Sequence, residues 1–301
     1  MPPESFPAGR FAVLVVDDGS TDNTLSVLER YASGAAVRIR YHSQAQQGRA
    51  VARNLGASKA LGDSLLFLCD DELVSPRLLE QHHAAREAQS KKVCTMGDIH
   101  RHPQLPHDTF TRLFLDKLPA WEDAVEPSHF LDWQRSNFCI NREAFLEAGG
   151  FSTDEALSAV EIPELAFRLE AEGVRPQYLP DARVYIWQPT TFAAERYRQY
   201  LLGYGLYHLQ ERTGAAEIPG RFRLKKTRAE QFISTLTIPY YVRTCNRHEA
   251  ETNMIIGRLY KRVLYHDRFL GYLDGLHNRP AHPPKNEEPA QPQGHSPHEI
   301  R

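Results

Sequence analysis

Two apolar runs, each stopped by acidic residues, constrain this chain more than any other feature. Residues 11–16 read FAVLVV and run straight into Asp17-Asp18-Gly19-Ser20; residues 64–68 read SLLFL and run, after Cys69, into Asp70-Asp71-Glu72. A continuous apolar run of this length, bounded by turn residues, fits a strand buried on both faces of a parallel sheet. Between the two runs, Leu25, Leu28 and Tyr31 recur at helical spacing behind the capping candidates Ser20, Thr21 and Asp22. Val37, Ile39 and Tyr41 alternate like a second strand, and residues 49–61 read as a helix closed by Gly62. Strands alternating with helices over short connections predict an α/β fold with a mostly parallel sheet flanked by helices. In such sheets ligands bind outside the carboxyl ends of the strands. Both strand ends carry paired carboxylates there, and that placement makes them the candidate site.

Further along, the pattern predicts a helix over 76–90, a short strand at 93–96 and a long loop with short helices over 98–135. A strand at 137–140, a short helix at 142–148 closed by Gly149-Gly150, and a helix with Pro163 in its first turn running to Glu172 follow. Residues 178–187 make a last strand. Helical stretches follow at 192–211 and 227–275, the second forming a C-terminal helical extension, and the Pro-, His- and Gln-rich stretch from Asn278 predicts disorder. The expected domains are therefore 1–212, 213–277 and a tail at 278–301.

Composition narrows the function. The formal net charge of −2 gives no global basic field, so nucleic acid is not an expected partner. One local basic run, RFRLKKTR at 221–228, stands out. Cys69, Cys94, Cys139 and Cys245 lack zinc-site spacing and read as buried thiols of a reducing compartment. No apolar run is long enough to span a bilayer, and MPPESFPAGR has no secretion-signal core, so the expected location is cytoplasmic. The helices at 192–211 and 227–275, with Tyr197, Tyr200, Leu201, Tyr204 and Tyr207 on one face, could instead pack on the preceding domain or touch a membrane surface peripherally.

The motifs add chemistry. VVDDGSTDNT at 15–24, in a strand–turn–helix context, resembles the signature of glycosyltransferase family 2, whose fold is the Rossmann-like GT-A type. The order D-x-[DN]-x-[DN]-G of a calcium loop is absent. GRAVARNLG at 48–56 is similar to the family's G-x-x-x-A-R-N-x-G helix, and FLCDDE at 67–72 to its metal-site strand end, with Cys69 where many members are acidic. Asn141-Arg142-Glu143 through Gly149-Gly150-Phe151, then Glu161-Ile162-Pro163-Glu164-Leu165, resembles its acceptor-side segment.

By this resemblance Asp18 contacts the base with Asp17 behind it, Arg53 reaches the nucleotide, Asp70 meets ribose or metal, and Asp71 holds Mg²⁺ or Mn²⁺. The family's catalytic-base position falls on Ile162, which leaves Glu161 as the substitute catalytic candidate. Ile186-Trp187 stand where the family often has a metal-binding histidine. The resemblance covers about residues 11–212 and lacks the strand and helix that open family members, which points to an internal start or a remnant. What it implies is an inverting, cation-dependent glycosyl transfer from a nucleotide-sugar donor, UDP-linked in the first instance, to a glycan or lipid-linked acceptor. The alternative is an impaired relative that binds a nucleotide, glycan or protein. A nucleotidyltransferase lacks support, because no Gly-rich triphosphate loop opens the chain.

Overall fold

In the computed structural model, the described residues are 6–88, 92–105, 129–133, 136–187, 190–247 and 254–282. The expected tail lies mostly outside them, as does most of the long loop expected over 98–135. They group into two compact units, one up to Leu105 together with 129–187, the other from residue 190 onward.

The first unit carries the alternating pattern. β1 (Ala12–Asp17) pairs in parallel with β2 (Arg38–Ser43), and α1 (Thr24–Gly34) connects them. α2 (Arg49–Lys59) then leads into β3 (Ser64–Phe67). β3 lies at the edge of a five-stranded sheet ordered β3-β6-β5-β7-β4, whose other strands are β4 (Glu72–Val74), β5 (Val93–Arg101), β6 (Phe138–Asn141) and β7 (Arg175–Ile186). Helices α3 (Leu78–Glu87), α4 (Arg142–Glu147) and α5 (Glu161–Ala171) complete the unit.

The α/β class holds, while the strand directions are mixed. β1–β2 and β5–β7 are parallel; β3–β6, β5–β6 and β4–β7 are antiparallel. The expected strand at 93–96 extends to Arg101 because β7 pairs along its whole length, across a bulge at Gly97/Asp98. A Cβ at Gly97 would collide with the Ala182 carbonyl oxygen, so the bulge requires glycine. Asn137, at φ 54°, fills the space beside it and donates to the Asp98 and Ala182 carbonyls at 3.0 and 2.8 Å.

Beneath the strand ends lies an aromatic cluster. Phe67 packs on Phe138, Phe145 and Phe151 with ring centroids 5.0, 5.1 and 5.2 Å away. All four rings are buried, each worth about 1.5–3 kcal/mol relative to exposure. The last residue of β3 is thereby fixed, and with it the acidic turn that follows.

The second unit is helical: α6 (Phe192–Thr213), α7 (Ile218–Arg221), α8 (Arg228–Arg247) and α9 (Met254–Leu276). The helix α6, expected within residues 1–212, clusters here with the C-terminal helices. It meets α9 backbone to backbone: a Cβ at Gly203 would collide with the Arg268 carbonyl oxygen, and one at Gly271 with that of Tyr200. Arg196 and Asp267 form a buried two-pronged ion pair across this seam, at 2.8 and 3.2 Å. Part of the aromatic face expected on α6 enters this packing. Tyr200 is buried and donates to Asp274 Oδ2 at 2.7 Å, and Tyr207 packs on Tyr272, while Tyr197 remains exposed. Among the described residues, no helix is long and apolar enough to cross a membrane.

Candidate active site

At the end of β1 the two aspartates hold the chain around them. Asp17 is buried and accepts from Ser20 N at 3.1 Å and from Ser43 Oγ at 2.8 Å, which ties the turn to the end of β2. Hydrogen bonds from Ser20 and Ser43 hold its carboxyl below the ordinary value. Asp18 reaches across to residues 44–48. Its Oδ1 accepts from Gln44 Nε2 at 2.7 Å and Gln47 N at 2.9 Å, and its Oδ2 from Gly48 N at 2.8 Å. Desolvation pushes the Asp18 carboxyl upward, but the hydrogen bonds from Gln47, Gln44 and Gly48 outweigh it and leave the pKa lowered. Gly19, at φ +84°, lets the turn close: a Cβ there would lie 2.8 Å from Gln46 N.

That loop launches α2, and α2 carries the arginines. Arg49 Nε and Arg53 Nη1 both donate to Glu161 Oε1, at 2.7 and 2.8 Å. Glu161 opens α5 and is 3% exposed. Arg53 also reaches Cys69 Sγ at 3.5 Å and lies over the Phe151 ring at 5.5 Å. The next residue, Asn54, clamps the Gly149-Gly150-Phe151 turn, donating to Phe151 O and accepting from Phe151 N, both at 2.8 Å. Gly150 is needed there, since a Cβ would stand 2.6 Å from Asn54 Oδ1.

Residues 68–71 connect the end of β3 to β4, the strand at the opposite edge of the sheet. Ligand atoms of Cys69, Asp71 and Glu72 all lie within 4.8 Å of one another. Glu72 is oriented by its neighbours: Oε2 accepts from Cys69 N at 2.9 Å, and Oε1 accepts from Ser136 Oγ. Two carboxylates suit Mg²⁺ or Mn²⁺, so the donor set fits such an ion, with the softer sulfur as a third and less usual donor. Asp70 is exposed and lies outside this cluster.

One helix thus links these positions in a chain, from Asp18 through Gly48 and Arg53 to Glu161 and Cys69, and Cys69 shares the acidic cluster with Asp71. Asp18 holds the start of α2, while Arg53 on α2 touches both Glu161 and the residue that opens the acidic turn. Ile162, 4% exposed, is packed into the core, and Glu164 is engaged by Arg168 at 2.6 Å. Ile186 pairs with Glu72 across β4–β7, so the position where the family often has a histidine lies beside the acidic cluster with an aliphatic side chain. Sequence reasoning assigned no role to Arg49, Asn54 or Glu72. The motif GRAVARNLG contains the first two, and only their partners, about a hundred residues away, reveal what they do.

Comparisons with known proteins bear on the family and the fold. Residues 5–118 match the family model described as Glycosyl transferase family 2. The chain is 30% identical over 88 residues to the poly(ribitol-phosphate) β-N-acetylglucosaminyltransferase TarS of Staphylococcus aureus, covering 27% of this chain and 15% of that protein. It is 28% identical over 193 residues to the validoxylamine A glucosyltransferase of Streptomyces hygroscopicus subsp. jinggangensis, covering 54% of this chain and 45% of that one. These alignments span less than half the length of either curated relative. The fold is similar to that of the mannosyltransferase PcManGT from Pyrobaculum calidifontis, solved with GDP-Man and Mn²⁺. The TM-score is 0.57 at 16% identity, covering 91% of this chain and 80% of the other.

Proposed function

Because this chain belongs to glycosyl transferase family 2 through residues 5–118, we propose that it moves a sugar from a nucleotide-sugar donor, UDP-linked in the first instance, to a glycan or lipid-linked acceptor with inversion. One observation carries the reading: α2 links the Asp18 loop to the Cys69–Glu72 turn, so a nucleoside side and a diphosphate side share one rigid element. Asp18, backed by Asp17, shapes the loop 44–48 that faces the nucleoside. Asp70, exposed at the turn, would meet ribose. Asp71 and Glu72 would hold the divalent cation, which supplies neutralisation of charge developing on the leaving diphosphate.

Arg49 and Arg53 supply forked donors for the same diphosphate. They now converge on Glu161, so a donor drawing them away leaves that carboxylate to receive the acceptor hydroxyl's proton. In that single displacement the acceptor oxygen bonds to the anomeric carbon, the bond to the diphosphate oxygen breaks, and the hydroxyl proton passes to Glu161. A binding module without catalysis is not favoured.

The test is calorimetry of UDP and GDP with Mn²⁺ or with EDTA. Tight binding that needs the cation and disappears in Asp71→Ala is the expected result; binding indifferent to both refutes the site. Glu161→Gln should keep nucleotide binding while lowering donor turnover by about 10²–10⁴-fold. Full turnover in that variant removes Glu161 from the chemistry.

A further inference from the structure

Helix α8 is apolar on two opposite faces, and only one of them is covered. Its inward face carries Ile238 and Cys245 into a buried cluster with Tyr260, Val263 and Leu264. Its outward face carries Phe232, Ile233, Leu236 and Tyr240, exposed by 66%, 57%, 64% and 67%. At about 100° per residue these four side chains fall within a single arc of about 100°. They form one row, of the kind that marks an interaction surface.

The charge around that row is one-sided. Residues 217–247 contain seven Lys and Arg against two Glu. Arg221, Arg223 and Lys225 are exposed just before α8, and Arg243 and Arg247, also exposed, continue the same arc at its far end. Nearby cations are braced on rings: Arg223 lies 5.2 Å from the Tyr265 centroid and Lys226 4.8 Å from that of Phe269. An apolar row with cations at both ends would repel a second copy, since a two-fold contact sets one basic end against another. Acidic headgroups over an apolar interior match it in both respects. No described helix can span a bilayer, so the match is to a surface.

We propose that the outward face of α8 docks on an anionic membrane, with Phe232, Ile233, Leu236 and Tyr240 entering the headgroup–acyl boundary and the flanking cations contacting lipid phosphates. This surface differs from the α6 tyrosine face considered from sequence, and it does not depend on the transferase reading.

Co-sedimentation of the full chain with phosphatidylglycerol/phosphatidylcholine vesicles should exceed that with phosphatidylcholine alone by at least about tenfold, and fall with salt. Phe232→Ser/Leu236→Ser should abolish it, with the circular dichroism spectrum and cation-dependent UDP binding kept. Arg243→Glu/Arg247→Glu should weaken it without touching either. Should the serine variant misfold, Tyr240→Trp decides: its emission should shift to the blue and be quenched by brominated anionic lipid. Equal binding to neutral vesicles, an indole reporter that stays silent on anionic ones, or a concentration-dependent dimer that the serine substitutions dissolve would each overturn the proposal.

Discussion

The ends of β1 and β3 look alike in sequence, each an apolar run followed by two aspartates, yet they do different work. At β1 the carboxylates turn inward on the protein: Asp18 alone accepts three hydrogen bonds from residues 44–48. At β3 the ligand atoms of Cys69, Asp71 and Glu72 gather into one cluster. The difference comes from what the backbone does next. After β1, a left-handed glycine folds the turn against a loop rich in amides. After β3, residues 68–71 run on to β4, which pairs with β7 at the other edge of the sheet. A pair of acids after a strand therefore specifies a strand end, and the following backbone decides whether the acids are tied to the protein or gathered into a cluster.

The sharpest break of that comparison is Asp71→Ala against Asp18→Asn. Asp71→Ala should cost nucleotide affinity in Mn²⁺ at least about a hundredfold, with the melting temperature little changed. If it melts early instead, the β3 turn is scaffold as well and the contrast fails. Gly19→Ala should come next. Its Cβ meets Gln46 N at a φ that L-residues avoid, and a loss of about 2–3 kcal/mol is expected in urea titration. Asp18→Asn sets an amide against Gly48 N. It should destabilise by about 1–2 kcal/mol while the dependence on cation survives.

A smaller effect tests the sulfur. Cys69→Ser should lower the preference for Cd²⁺ over Mg²⁺ by a few-fold, read by nucleotide binding in each metal, because only the soft donor is lost. The smallest is acid stability. Asp17 and Asp18 are depressed below 3.8 in the folded chain. Their stabilisation is full above that value and is lost as pH falls through the depressed one. Melting temperature should hold down to about pH 4 and then drop, and Asp17→Asn/Asp18→Asn should flatten that limb.

Much of the first unit was legible because its signals are local. FAVLVV, SLLFL and the helical spacing after each turn predict β1, α1, α2 and β3 to within a few residues. Strand direction was not legible, since apolar runs carry no sign of the neighbour they choose. β4 is three residues long, too short for any period, and exists because β7 offers it a ladder at Glu72↔Ile186. In the candidate site, Asp18, Arg53 and Asp71 stand at motif positions, and Glu161 beside one. The partners of Arg49 and Asn54 could not, because the contacts Arg49–Glu161 and Asn54–Phe151 close spans of 112 and 97 residues.

The glycine contact between α6 and α9 has a consequence at a distance. α9 is squeezed against α6 on one side and, through Tyr260, Val263 and Leu264, supports α8 on another. A single methyl at Gly203 or Gly271 would force α9 to shift or tilt, and the support beneath α8 would move with it. The seat of α8 thus depends on two missing side chains in the contact between α6 and α9, neither of them on α8 itself.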